Sequence, residues 1–161
     1  MITREDRTTI HLVKLLEEKG LHIATAESCT GGYFASRIIS LPGASKVIDG
    51  AFVAYSDNVK NEVLGVPWRY IKKYTAVSSS VAGSMALGAR KRTGADVAVS
   101  TTGYLGPDGE KVGQVYIGIS TKYDTVVYSF EFGGCRETIR EQAVRTAMQL
   151  AIKEINDRWK K

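Results

Sequence analysis

The strongest hydrophobic pattern lies near the end of the chain, where Ile139, Ala143, Ala147, Ala151 and Ile155 recur every four residues and Val144, Met148 and Ile152 widen the stripe. Apolar positions at that spacing share one helix face, so the pattern predicts a long helix over roughly 135–158. A shorter version opens the chain. Ile10, Val13 and Leu16 share a face within 4–19, which closes on Lys19-Gly20, a basic last turn and a glycine stop. Between these two helices the period changes. Ile23 to Ala26 is a short apolar run of strand character, Tyr33 to Ile39 is amphipathic and helical, and Leu41-Pro42-Gly43-Ala44 interrupts. A second strand is expected over 46–55, carried by Val47, Ile48, Phe52 and Val53. Ser56 and Asp57 open a helix that Gly65 and Pro67 end, and a short helical stretch follows over 67–73. Ser78-Ser79-Ser80 opens another, with Val81, Ala82, Met85, Ala86 and Ala89 at helical spacing up to Thr93-Gly94. Val97-Ala98-Val99 centres a third strand over 96–100, and the runs 113–120 and 125–132, joined by 121–124, read as a hairpin.

Helices alternating with strands, then one hairpin, predict an α/β fold. The expectation is a three-layer α/β/α single domain over 1–161, with a mixed, mainly parallel sheet plus the β-hairpin. The many small residues of the 78–93 helix suggest close packing against another helix or subunit, hence a homo-oligomer.

Composition narrows the partners. With 161 residues, 43% hydrophobic and 24% charged, the chain has the makeup of a soluble globular domain. No apolar run approaches the ~18 to 20 residues that span a bilayer, and Met1 to Arg7 lack the apolar core of a leader, so no membrane partner and a cytoplasmic location are expected. The net charge of +5 raises the question of nucleic acid. Its positive groups are dispersed apart from Lys72-Lys73, Arg90-Lys91-Arg92 and the terminal Arg158, Lys160 and Lys161, and solvated helix ends explain those clusters without a nucleic-acid partner. Cys29 and Cys135 have neither the number nor the spacing of a disulfide framework or a zinc site, so both are expected as free thiols.

Candidate chemistry concentrates in Ala26-Glu27-Ser28-Cys29-Thr30-Gly31-Gly32, which joins the first expected strand to a helix. Unpartnered N–H groups at a helix start bind oxyanions, and two glycines leave them open. The competing reading is an ordinary helix start with Ser28 or Thr30 as N-cap. A serine nucleophile needs a base within hydrogen-bond reach. The chain has only two histidines; His11 lies inside the first helix and His22 at the far end of the strand that leads to Ser28, so a Ser-His-Asp triad is not expected. Lysine and tyrosine remain, and Tyr55 and Lys60 emerge from the end of the second strand. Burial and the positive end of its own helix would both favour a neutral Lys60 amine; the competing reading is a surface lysine paired with Asp57 or Glu62. Arg136 and Arg140, one turn apart at the start of the last helix, would hold an anion between them, or else pair with Glu131, Glu137 and Glu141.

With those residues in view, the sequence resembles the CinA C-terminal domain family of nicotinamide-nucleotide amidases. The resemblance runs over about 5–155 and is carried by Thr25 to Gly32, Leu41-Pro42-Gly43-Ala44-Ser45, Val53-Ala54-Tyr55-Ser56 with Lys60, Leu64-Gly65-Val66, Ala76-Val77-Ser78, Gly94-Ala95-Asp96, Thr102-Gly103, Gly106-Pro107, Val112-Gly113, Val115-Tyr116, and Gly134 with Arg136 and Arg140. It implies an amidohydrolase that converts nicotinamide mononucleotide to nicotinate mononucleotide and ammonia without metal or cofactor. It further implies Ser28 as nucleophile, Lys60 as base and Tyr55 as hydrogen-bonding partner of that dyad. Glu27, Cys29, Thr30, Gly31, Gly32, Thr102, Gly103, Arg136 and Arg140 are then the substrate-binding positions, the arginines at phosphate. The alternatives are a catalytically silent nucleotide-binding or regulatory module of the same fold and, more weakly, Cys29 as nucleophile. One loop departs from the family pattern: Tyr104-Leu105 replace a small pair, and Asp108-Gly109-Glu110-Lys111 form a shortened link with no proline before Val112. Tyr104 is expected to narrow the pocket, and the loop to meet substrate or a neighbouring subunit.

Overall fold

The structure, a computed structural model, describes residues 4–160; the leader comparison over 1–7 and the basic end at Lys161 fall partly or wholly outside that range. The elements run α1 (Arg4–Lys19), β1 (Ile23–Glu27), α2 (Tyr33–Ile39), a 3-10 turn (Ala44–Lys46), β2 (Ile48–Val53), α3 (Asp57–Glu62), α4 (Trp68–Tyr74), α5 (Ser79–Thr93), β3 (Val97–Gly103), β4 (Gln114–Thr121), β5 (Thr125–Glu131) and α6 (Arg136–Arg158). The order in the sheet is β2-β1-β3-β4-β5. β2, β1 and β3 form a parallel core, and β4 and β5 continue it as an antiparallel hairpin. This is the expected three-layer α/β architecture. The second strand starts later than the sequence suggests, because Gly43 adopts φ +84° and winds 44–46 into a 3-10 turn first.

Side-chain size separates the two faces. Along β1, Ile23 turns toward α1, α2 and α6, where Leu12, Leu16, Phe34, Ile38, Ile139, Met148 and Ile155 complete a core. Ala24 and Ala26 turn the other way, toward α3, α4 and α5, with Ala98, Leu64, Val66, Ile71, Val81 and Met85. Strand periodicity of two makes this division automatic. Each fully buried Leu, Ile or Phe contributes roughly 1.5 to 3 kcal/mol, so the α6 stripe read from the sequence is the main seam of the larger core.

The small residues of α5 give close packing within the chain. Ser100 Oγ donates to the Ala82 carbonyl at 2.6 Å. A Cβ on Gly118 would lie 2.6 Å from that same oxygen, and one on Gly88 would lie 2.0 Å from the Leu64 carbonyl. Backbone meets backbone at Gly88, so no rotamer change relieves an added methyl. Gly88→Ala is expected to cost about 2 kcal/mol or more, lowering Tm by roughly 5 °C in a thermal melt; an unchanged Tm would mean that α5 does not sit that close.

The fold also fixes where chemistry can occur. β1 lies between β2 and β3, and the chain leaves β1 on one face of the sheet and returns to β3 on the other. At such a switch point the carboxyl ends of adjacent strands open a crevice. Glu27 lies opposite Val53 and Thr101 there, so Ser28, Tyr55 and Thr102 leave the same edge of the sheet.

Candidate active site

Lys60 is the deciding side chain. It sits in the last turn of α3, whose N-cap Ser56 accepts the Val59 N–H at 3.2 Å. The helix carries it inward, so that only 2% of the residue is exposed. Its Nζ lies 3.2 Å from Ser28 Oγ and 3.3 Å from the Tyr55 backbone carbonyl, and donates to both. Burial pulls its amine below the ordinary lysine range; Asp57 pulls in the opposite direction. Desolvation of the charged form is therefore the leading cause. The positive end of α3, expected from the sequence, is not: the helix has six residues and Lys60 lies in its last turn, where the dipole favours a cation. Among the described residues Lys60 makes no ion pair with Asp57 or Glu62, so the surface-lysine reading fails.

Ser28 is held by its backbone, its N–H bonded to the Thr101 carbonyl at 2.9 Å. The loop beyond it differs from a simple capped helix. Gly32 is the N-cap of α2 at φ +95° and gives no side-chain cap, which corrects Ser28 and Thr30 as capping residues. The cap comes from Glu27, 1% exposed. Its carboxylate accepts the N–H groups of Phe34 at 2.9 Å and Ala35 at 3.1 Å, and the hydroxyls of Thr30 at 2.6 Å and Thr25 at 3.2 Å. The anion at this helix start is thus the protein's own. Glu27 points beneath the loop rather than toward a substrate, and Thr30 Oγ1 is spent on Glu27 and on Thr101 Oγ1 at 2.7 Å. Both side chains are thus engaged by the fold, and Thr30 also borders a cavity at Ser28. The Gly31 N–H goes to the Ser28 carbonyl and the Tyr33 N–H to the Thr30 carbonyl. The N–H groups of Cys29, Thr30 and Gly32 have no partner among the described residues.

Two adjoining cavities open at Ser28. One, of about 380 Å³, is walled by Ser28, Tyr55, Asp57, Lys60, Thr102, Gly103, Tyr104, Asp108 and Arg136 among others. The other, of about 360 Å³, shares Ser28, Cys29, Tyr55, Leu105 and Arg136 and adds Thr30, Gly31, Glu137 and Arg140. The Tyr55 phenol is 66% exposed and accepts from Arg136 at 3.5 Å. Tyr55 therefore meets Lys60 through its backbone carbonyl, while its side chain stands on the solvent side. Arg136 also donates to the Gly106 carbonyl at 2.6 Å, bridging the loop to the start of α6. The Arg140 guanidinium lies 5.0 Å over the Tyr33 ring, with its Nε buried and unpartnered. Among the described residues neither arginine pairs with Glu131, Glu137 or Glu141. Thr102 lines the first cavity, while its hydroxyl is bonded to the Ala76 carbonyl at 2.8 Å.

A family model of the CinA C-terminal domain matches residues 5–155. The chain belongs to that family. It is 44% identical over 148 residues to a protein of Caldicellulosiruptor saccharolyticus provisionally named a competence-damage inducible protein, covering 89% of this chain and 36% of the relative. It is 40% identical over 151 residues to a CinA-like protein of Desulfotalea psychrophila, covering 90% and 37%. The chain thus spans about a third of the length of these relatives. A crystal structure of a CinA superfamily protein from Klebsiella pneumoniae superposes with a TM-score of 0.93 at 28% identity, covering 96% of this chain and 99% of that one. One from Escherichia coli gives 0.88 at 33%, covering 94% and 95%.

His22 pairs with Asp49 at 2.6 Å, beyond the amino end of β1 and away from Ser28. Among the described residues no helix is long and apolar enough to cross a membrane, and no three His, Cys, Asp or Glu side chains gather as metal ligands. Thr101 is the site residue that the sequence did not single out. Its pairing with Glu27 is a register fact between strands some seventy residues apart, and no local signal marks it.

Cys29 separates from Cys135 by environment. Burial pushes the Cys29 thiol up to about 12, whereas the exposed Cys135 thiol lies below its ordinary range because Thr138 hydrogen-bonds it. Iodoacetamide at neutral pH is expected to alkylate Cys135 and to react at Cys29 more than about a hundredfold more slowly, read from peptide masses. Equal labelling would revive Cys29 as a nucleophile.

Proposed function

We propose that the chain is a serine-lysine amidohydrolase that deamidates nicotinamide mononucleotide to nicotinate mononucleotide and ammonia. The observation that carries this reading is the buried Lys60 amine 3.2 Å from Ser28 Oγ at the wall of a nucleotide-sized cavity. A solvated amine would have favoured a silent binding module. Family membership and the absence of a histidine near Ser28 support the same conclusion.

In this mechanism neutral Lys60 takes the Ser28 proton as Oγ attacks the carboxamide carbon. The carbonyl oxygen becomes an oxyanion, held by the free N–H groups of Cys29, Thr30 or Gly32. Lys60 then returns its proton to the nitrogen, the C–N bond breaks, and ammonia leaves an acyl-Ser28 ester. Water enters, gives a proton to Lys60 and hydrolyses the ester; that proton returns to Ser28. The Tyr55 carbonyl keeps the amine aimed through the cycle. Arg136 and Arg140 border the second cavity, where a phosphate would meet them, and among the described residues neither is neutralised by a carboxylate.

The test is ammonia release from nicotinamide mononucleotide by the purified protein. Turnover is expected, rising with pH as Lys60 loses its proton; a folded protein without turnover from pH 6 to 9 overturns the assignment. Asp57 sharpens the pH argument. Its carboxylate favours the charged amine, so Asp57→Asn lowers the Lys60 pKa further and the acid limb of kcat/KM moves to lower pH. A limb that stays in place would mean that a group other than Lys60 titrates.

A further inference from the structure

The two cavities differ in the sign of their charge when the Lys60 amine is neutral. With Lys60 neutral, as its base role requires, the ionisable carboxylates and guanidinium on the first wall are Asp57, Asp108 and Arg136, two negative against one positive. The second wall carries Arg136, Arg140 and Glu137, two positive against one negative. Among the described residues Asp57 and Asp108 have no hydrogen-bonding or ion-pairing partner, so neither carboxylate is spent on the fold. Tyr104, half-buried, lines the same cavity.

This wall is anchored. The Tyr104 N–H donates to the Gln114 carbonyl at 3.0 Å and its carbonyl accepts the Gly113 N–H at 2.7 Å. Two residues on, the Gly106 carbonyl is held by Arg136. Asp108 therefore follows a fixed stretch, close to the dyad. Carboxylates and an aromatic face together form an environment for a delocalised organic cation.

We propose that Asp57, Asp108 and the Tyr104 ring form a cation-reading wall that selects a positively charged N-alkylpyridinium carboxamide nucleotide over a neutral-ring nucleotide of the same shape. The inference rests on the amidase reading for the placement of the carboxamide at Ser28. It adds that the charge of the ring is recognised, and by which residues. The ring then sits on the acidic side of Ser28 and the anionic end of the nucleotide on the basic side. The departure of this loop from the family pattern becomes a specificity device.

The experiment measures binding by calorimetry to the Ser28→Ala protein, which cannot form the acyl ester. The two probes are nicotinamide mononucleotide and its benzamide C-nucleotide counterpart, in which carbon replaces the ring nitrogen and removes the charge. The cation is expected to bind about tenfold more tightly, each exposed carboxylate contributing at most roughly fivefold. Adding Asp108→Asn reduces that preference severalfold and leaves the neutral probe unchanged; Tyr104→Leu reduces it in the same sense. Equal binding of the two probes, equal weakening of both by Asp108→Asn, or no binding of either overturns the proposal. Cation-selective binding by Ser28→Ala, beside a parent that releases no ammonia, would uphold the wall and overturn the amidase.

Discussion

Ser28→Ala and Lys60→Met are each expected to lower kcat for ammonia release by about a thousandfold or more, and the double variant to be little worse than either. The reason is that the two groups act as one unit. Without Oγ there is no nucleophile; without the amine the hydroxyl keeps its proton and ammonia has no proton donor. Additive losses in the double variant would show that they act independently. The two variants should differ in stability. Burial holds the Lys60 amine below the value of about 10.5 that it regains on unfolding. Between the two values the unfolded chain binds the extra proton, so stability rises with pH across that interval. Below the folded value the fold carries the full penalty of a buried ammonium. Methionine has a similar shape and no charge. Lys60→Met is therefore expected to be the more stable protein at neutral pH, by about 1 kcal/mol, or roughly 3 °C in Tm, and to lack the parent's gain in stability toward alkaline pH. A less stable Lys60→Met would mean that the two hydrogen bonds from Nζ outweigh its desolvation.

The second large effect is structural. Glu27→Ala removes the acceptor of four donors, two of them N–H groups of the first turn of α2. Each buried donor left without a partner costs about 1 to 3 kcal/mol, and relaxation of the loop recovers part of the sum. A net loss of about 4 kcal/mol, near 10 °C in Tm, is expected. Glu27→Gln tests the cause. Its amide keeps the size but offers one acceptor where the carboxylate offers two, so an N–H must face another N–H. It should lose about half as much stability. Activity should fall in both variants, because the loop that Glu27 holds is the one that places Ser28. A Glu27→Gln protein as stable as the parent would show that shape rather than charge fixes the loop. A Glu27→Ala protein with normal stability and impaired substrate affinity would restore Glu27 to the binding residues.

Most of the element order was legible because it is local. The four-residue spacing of the α6 stripe, the Ser56 and Ser78 caps and the glycine stops at Gly20 and Gly94 are all decided within one or two turns of chain. The scarcity of histidine left lysine and tyrosine as the candidate bases for a reason of composition alone. What stayed open was what depends on partners far away. Glu27 looks like a polar residue beside a nucleophile until the fold brings α2 over it. Tyr55 offers a carbonyl and a phenol alike until the fold sets the carbonyl against Lys60 and leaves the side chain exposed. The small face of α5 suits a helix or a subunit equally well until Gly118 and the Leu64 carbonyl are found against it.

The sequence by itself determined the α/β class, the family and the types of side chain available for chemistry, because helix and strand periods and the inventory of nucleophiles and bases are properties of neighbouring residues and of composition. Only the tertiary structure decided that Ser28 and Lys60, thirty-two positions apart, lie 3.2 Å from each other, with the amine out of water. That distance depends on the register of β1 between β2 and β3, and the burial on the inward turn of α3; both are set by packing across the whole sheet rather than by any stretch of the chain.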